Sequence, residues 1–211
     1  FECAYSGWLG SPEQIGLCLD YFKSWPEALA VVDPVMGDHG KPYRTSTPEM
    51  IAQMGKLVAV ADVITPNLTE AALLLGEDYP SAPLRVQEAR RLLSRLASLG
   101  PRYVVVTGVE MADDRVSNIG YDREQGQYWR VDCNYVPVSY PGTGDIFASV
   151  LVGGLLGGDS LPMAMERASR FIEIAARTTF SYGSDTRYGV MLESCLSWLT
   201  GTPTFERYRL L

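Results

Sequence analysis

Four residues, Gly142-Thr143-Gly144-Asp145, stand just ahead of an apolar stretch that reads as a helix from Ile146. Glycines without a Cβ let backbone N–H groups approach an anion closely. A helix start adds unpaired N–H donors and the positive end of the macrodipole. Such a cradle suits the negative charge that builds up on a phosphoryl group in transfer. A carboxylate is out of place in a simple phosphate-binding loop, because it repels the ligand. Asp145 is in place as a general base that takes the proton from an attacking hydroxyl. A plainer reading stays open, in which the glycines form a turn and Asp145 is an ordinary helix-start residue.

Other acids keep it company. Asp33-Pro34-Val35-Met36-Gly37-Asp38 follows an apolar run and offers two carboxylates in one loop. Asn67 and Glu70 follow the next run, one helical turn apart, so both can face one cleft. Carboxylates and an amide around a triphosphate suit Mg²⁺, bound directly or through waters. Each residue also has a structural reading. Asn67 with Glu70 resembles a capping box, and Asp33 before proline fits a strand-end turn.

These positions require elements to hold them. Ala30–Val32, Ala61–Ile64 and Tyr103–Val106 are short apolar runs ending in Asp33-Pro34, Thr65-Pro66-Asn67 and Thr107-Gly108. Between them lie amphipathic patterns over Pro12–Trp25, Leu68–Leu75 and Val86–Leu99. That alternation predicts an α/β fold with a mostly parallel sheet, whose ligands bind outside the carboxyl ends of the strands. Ser117–Tyr121 and Gln127–Val131 then read as an antiparallel hairpin around Asp122–Gly126. After Asp145 the chain reads as helical to its end, over Ile146–Leu156, Leu161–Phe180 and Val190–Leu199. No repeat or linker interrupts residues 1–211, which are expected to form one domain.

Composition narrows the function. With 46% hydrophobic and 20% charged residues, the chain has the make-up of a globular protein rather than a disordered one. A net charge of -7 argues against nucleic acid or an anionic membrane as partner. Cys3, Cys18, Cys133 and Cys195 are scattered and His39 is the sole histidine, which disfavours a zinc site and suggests the reducing cytoplasm. The opening Phe1-Glu2-Cys3-Ala4 lacks the basic start of a secretory signal, and Ile146–Gly158 is too short for a membrane span.

In order and spacing, Asp33–Asp38, Ile64-Thr65-Pro66-Asn67 with Glu70, and Gly142–Asp145 resemble the motifs of ribokinase-like small-molecule kinases. Within that superfamily the chain looks like a pyridoxal (vitamin B6) kinase, because Tyr5-Ser6-Gly7-Trp8-Leu9-Gly10-Ser11 resembles the SGYLGS segment of those enzymes. The resemblance implies a three-layer sandwich and transfer of the ATP γ-phosphate to the 5′-hydroxymethyl of pyridoxal, pyridoxine or pyridoxamine. It makes Asp145 the base that meets the substrate, with Gly142, Thr143 and Gly144 as its anion hole. It places Asp33 and Glu70 near the phosphates and Mg²⁺, with Asn67 and Asp38 in support, and lines the nucleotide site with Thr65 and Thr107. It also implies a loop around Val131 and Asp132 beside the nucleotide. Members of the family often use a monovalent cation and are often homodimers.

Two departures stand out. Family members carry about two strand–helix units ahead of the segment matching Phe1, and these supply much of the substrate pocket. The expectation is therefore an incomplete sequence or a longer native protein. His39 falls in an exposed loop and is not expected to act as base. The nearest alternative is a hydroxymethylpyrimidine (phosphate) kinase of thiamine synthesis, which shares the fold, the ATP site and Asp145. An alternative of another class is a truncated relic that binds nucleotide without turnover. A Rossmann oxidoreductase is weakly supported, since no GxGxxG follows an early strand.

Overall fold

The computed structural model describes residues 1–134, 136–201 and 204–211. Its main sheet has seven strands: β1 (Cys3–Ser6), β2 (Leu29–Val32), β5 (Val63–Ile64), β6 (Tyr103–Met111), β7 (Arg115–Asp122), β8 (Gln127–Asp132) and β9 (Tyr208–Leu210), in that spatial order. Pairing is parallel from β1 through β6 and antiparallel from β6 through β9. A two-stranded hairpin of β3 (Gly37–Asp38) and β4 (Lys41–Pro42) stands apart from it.

The period-two alternation of strand side chains sorts the apolar runs onto two faces. Ala30, Val32, Ile64, Val104 and Val106 face one layer of helices, formed by α1 (Pro12–Ser24), α2 (Pro48–Val58), α3 (Leu68–Leu75) and α4 (Val86–Ala97). Val31, Val63 and Val105 face the other layer, α5 (Thr143–Leu156) and α6 (Leu161–Ser181). The result is the expected three-layer α/β sandwich, with both faces of the parallel half buried.

The helices start where their caps dictate. Ser11 and Thr47 accept from the N–H groups of Gln14 and Met50, and each is followed by a proline at the first helical position. The Thr47-Pro48-Glu49 signal announces α2, which periodicity alone did not. β1 and the β3–β4 hairpin were likewise not foreseen; both are too short to show an alternating pattern.

Three expectations need correction. The run at Tyr103 does not end at Val106. The register shifts between Val106 and Val109, and Gly108 takes φ 65°, so Thr107-Gly108 forms a bulge within a longer strand. Val131 and Asp132 belong to strand β8 rather than to a loop, and Asp132 is engaged by Arg130 and Arg209. The end of the chain is not an α-helix. Glu193–Thr200 forms a 3₁₀ helix, consistent with the three-residue spacing of Leu192, Cys195 and Trp198. The last residues then return to the sheet as β9.

The return of β9 is held by a buried acid. Glu166, fully buried on α6, accepts from the backbone N–H groups of Glu206, Arg207 and Tyr208. Removing the carboxylate leaves these donors without their partner. Glu166→Ala is expected to cost about 3 kcal/mol of stability, read from urea unfolding.

Candidate active site

The carboxyl ends of β2, β5 and β6 open into a cavity of about 470 Å³. Asp33, Asp38, Thr65, Asn67, Glu70, Thr107, Gly142, Thr143, Gly144 and Asp145 all line it, whereas Val131 and Asp132, expected beside the nucleotide, are not among its described lining residues. Backbone bonds hold the floor. Asp33 N–H donates to Ser6 O, Thr65 N–H to Val32 O and Thr107 N–H to Pro66 O.

Helix α5 begins three residues earlier than its apolar pattern. Gly142 is its N-cap, with φ 83°, a left-handed conformation that costs a residue bearing a Cβ about 1 kcal/mol. Thr143, Gly144 and Asp145 therefore form the first turn, whose N–H groups have no intrahelical acceptors. The Thr143 hydroxyl donates to Tyr140 O. A Cβ on Gly144 would lie 3.9 Å from Asp33 Oδ2, which places the helix start directly against the end of β2.

Glu70 fulfils its structural reading completely. Its N–H donates to Asn67 Oδ1 while Oε2 accepts from Asn67 N–H, closing a capping box. Oε1 also accepts from Met36 N–H, so this one carboxylate joins the start of α3 to the loop after β2. Asn67 Nδ2 donates to Gly37 O, and Thr69 Oγ1 accepts from Gly40 N–H. The β3–β4 hairpin is thus fastened to α3 at both ends. Asp38 and His39 lie at its exposed tip, where Asp38 Oδ1 accepts from His39 N–H.

The electrostatics are one-sided. Burial, and then the charge of Asp145, pushes the Asp33 carboxyl up to about 7. Burial, and then the charge of Asp33, pushes Glu70 up to about 8 despite its backbone donors. Among the described residues no lysine or arginine lines the cavity. Nor do three His, Cys, Asp or Glu side chains converge into a protein-only metal cage, so Asp33, Asp38 and Glu70 are not a closed ligand set. The carboxylates of Asp33 and Glu70 nevertheless fit Mg²⁺, which keeps several waters and needs only one or two carboxylates. The Thr65 hydroxyl is buried without a hydrogen-bond partner, on a residue that lines the same cavity.

Sequence reasoning missed one member. The Tyr5 hydroxyl donates to Asp145 Oδ1 at 3.2 Å, which its place in the Tyr5–Ser11 motif did not announce. A second cavity of about 550 Å³, mainly apolar, lies between α5, α6 and the 3₁₀ segment, and Asp145 lines this one too. No described helix is long and apolar enough to cross a membrane.

The chain belongs to the phosphomethylpyrimidine kinase family, whose sequence profile matches residues 2–189. It is 36% identical over 184 residues to the pyridoxine/pyridoxal/pyridoxamine kinase of Bordetella avium, covering 82% of this chain and 59% of that enzyme. Its structure superposes with a TM-score of 0.96 on a Bacteroides thetaiotaomicron protein described as a candidate phosphomethylpyrimidine kinase, at 43% identity, over all of this chain and 73% of that one. The same protein has been crystallised with pyridoxal. The pyridoxal kinase of Lactobacillus plantarum matches at 32% identity and a TM-score of 0.81, over 94% of this chain and 70% of that one. The chain thus spans about three fifths of the Bordetella enzyme's length.

The raised carboxyls make stability depend on pH. In the unfolded chain both acids ionise near pH 4, whereas in the folded protein Asp33 keeps its proton to about 7. Folding is therefore favoured at low pH, and that advantage is lost as pH rises towards the folded value. Relative to Asp33→Asn, the wild type is expected to lose on the order of a few kcal/mol between about pH 4 and 8 in parallel unfolding titrations. A difference that stays flat with pH would contradict the burial argument.

Proposed function

We propose that this chain carries the phosphate-handling machinery of a pyridoxal kinase, moving the ATP γ-phosphate to the 5′-hydroxymethyl of pyridoxal, pyridoxine or pyridoxamine. The observation that carries the reading is the meeting of Asp145, in the first turn of α5, with Asp33, Thr65, Asn67, Glu70 and Thr107 around one cavity. Asp145 takes the proton of the acceptor hydroxyl as that oxygen attacks phosphorus. The N–H groups of Thr143 and Gly144, with Gly142 setting their direction, stabilise the charge gathering on the transferred phosphoryl. Thr65, Asn67 and Thr107 bind the nucleotide. Asp33 and Glu70, directly or through waters and with Asp38 nearby, would hold Mg²⁺, which would neutralise charge on the phosphates. A monovalent cation, a homodimeric assembly, a single kinase domain over residues 1–211 and a cytoplasmic location complete the reading.

Support comes from relatives that are named pyridoxal kinases and from the pyridoxal complex of the Bacteroides protein. A second reading, hydroxymethylpyrimidine (phosphate) kinase, is favoured by the description of the matching family itself. Both readings share Asp145 and differ in the acceptor alcohol. Purified protein with Mg²⁺ and ATP is expected to phosphorylate pyridoxal faster than hydroxymethylpyrimidine, and the opposite preference would favour the second. Asp145→Ala should reduce turnover about a thousandfold with nucleotide affinity nearly unchanged. Near wild-type turnover in that variant would remove Asp145 as base.

A further inference from the structure

Strand β1 sends Ala4 and Ser6 into the protein and turns Tyr5 to the opposite face, where it remains 40% exposed. Its ring spans the gap between the end of β2 and the start of α5. The hydroxyl is 3.2 Å from Asp145 Oδ1 and 3.5 Å from Asp33 Oδ2. A phenol has one proton to give, and the shorter contact assigns it to Asp145. Gly7 makes room for the encounter, since a Cβ there would stand 3.2 Å from the Tyr5 hydroxyl and 3.3 Å from Asp145 Oδ1.

The contact answers an electrostatic difficulty. No lysine or arginine is among the described residues lining the cavity that Asp33 and Asp145 share, and once Asp33 ionises above about pH 7 its charge would drive a free Asp145 carboxylate away. Asp145 can turn about its side-chain torsions, so repulsion alone would swing it away from the position required of a base. A donor that grips one of its oxygens prevents this. A carboxylate has acceptor capacity on both oxygens, and gripping Oδ1 leaves Oδ2 open.

We propose that Tyr5 is a positioning residue for phosphoryl transfer: it fixes Asp145 through Oδ1 and so presents Oδ2 to the acceptor hydroxyl. The inference rests on the reading of Asp145 as base. It assigns Tyr5 no contact with substrate or nucleotide and no proton transfer of its own.

The test is Tyr5→Phe, which keeps the ring and deletes only the hydroxyl. One hydrogen bond to a charged group corresponds to roughly a tenfold loss in kcat, with KM for ATP and for the alcohol nearly unchanged. Because Tyr5 acts through Asp145, Tyr5→Phe should have no further effect on the residual turnover of Asp145→Ala. The same cycle is measured by denaturant unfolding, which needs no activity, and its midpoints should be non-additive. Wild-type kcat in Tyr5→Phe, or additive effects in both cycles, would overturn the inference. A wild-type protein that phosphorylates neither alcohol would instead defeat the reading of Asp145, and additivity of unfolding would still be read separately.

Discussion

Negative charge concentrated at the ends of parallel strands is the constraint on which this structure turns. Asp33, Glu70 and Asp145 face one cavity, two of them buried, without a lysine or arginine among the described residues lining it. Such an arrangement is costly by itself, since burial and mutual repulsion both oppose ionisation. Every neighbouring feature lowers that cost. Glu70 is satisfied by backbone N–H groups, the start of α5 turns its positive end towards Asp33, and Tyr5 donates to Asp145. What these devices leave unbalanced is residual negative charge, which a cation would offset.

The same devices are structural before they are chemical. The capping box of Asn67 and Glu70 starts α3, and the third contact of Glu70 draws in the loop carrying Met36 and Gly37. Capping does not compete with a place at the site, because the same Glu70 carboxylate starts α3 and lines the cavity. Its helix-capping geometry sets it at the cavity wall, where burial pushes the carboxyl up to about 8. Asp145 follows a similar logic. A left-handed Gly142 ends the incoming loop, begins α5 and thereby fixes where the acid projects.

Much of this was legible in the residues. Val31, Val63 and Val105 alternate with partners on the opposite face, so three runs and the intervening amphipathic stretches were enough for the layered fold. The candidate residues were legible because Asp33, Thr65 and Asn67 follow strand ends, where the backbone must turn, and Gly142–Asp145 open a helix. The parts that escaped depend on tertiary context. The bulge at Thr107-Gly108 is imposed by pairing with β7, and the turn of the last residues into β9 rests on Glu166, distant in sequence. Tyr5 escaped for the same reason: nothing local links it to an acid 140 residues away.

Burial holds the carboxyls of Asp33 and Glu70 partly protonated near neutral pH, and binding of nucleotide with Mg²⁺ should draw those protons off. Calorimetric titration with Mg²⁺ and a non-hydrolysable ATP analogue, repeated in buffers of different ionisation enthalpy, measures that directly. Release of about one proton per nucleotide bound is expected near pH 7, as cation binding favours the ionised carboxylates, and little release near pH 9. Binding with no proton release at either pH would contradict it.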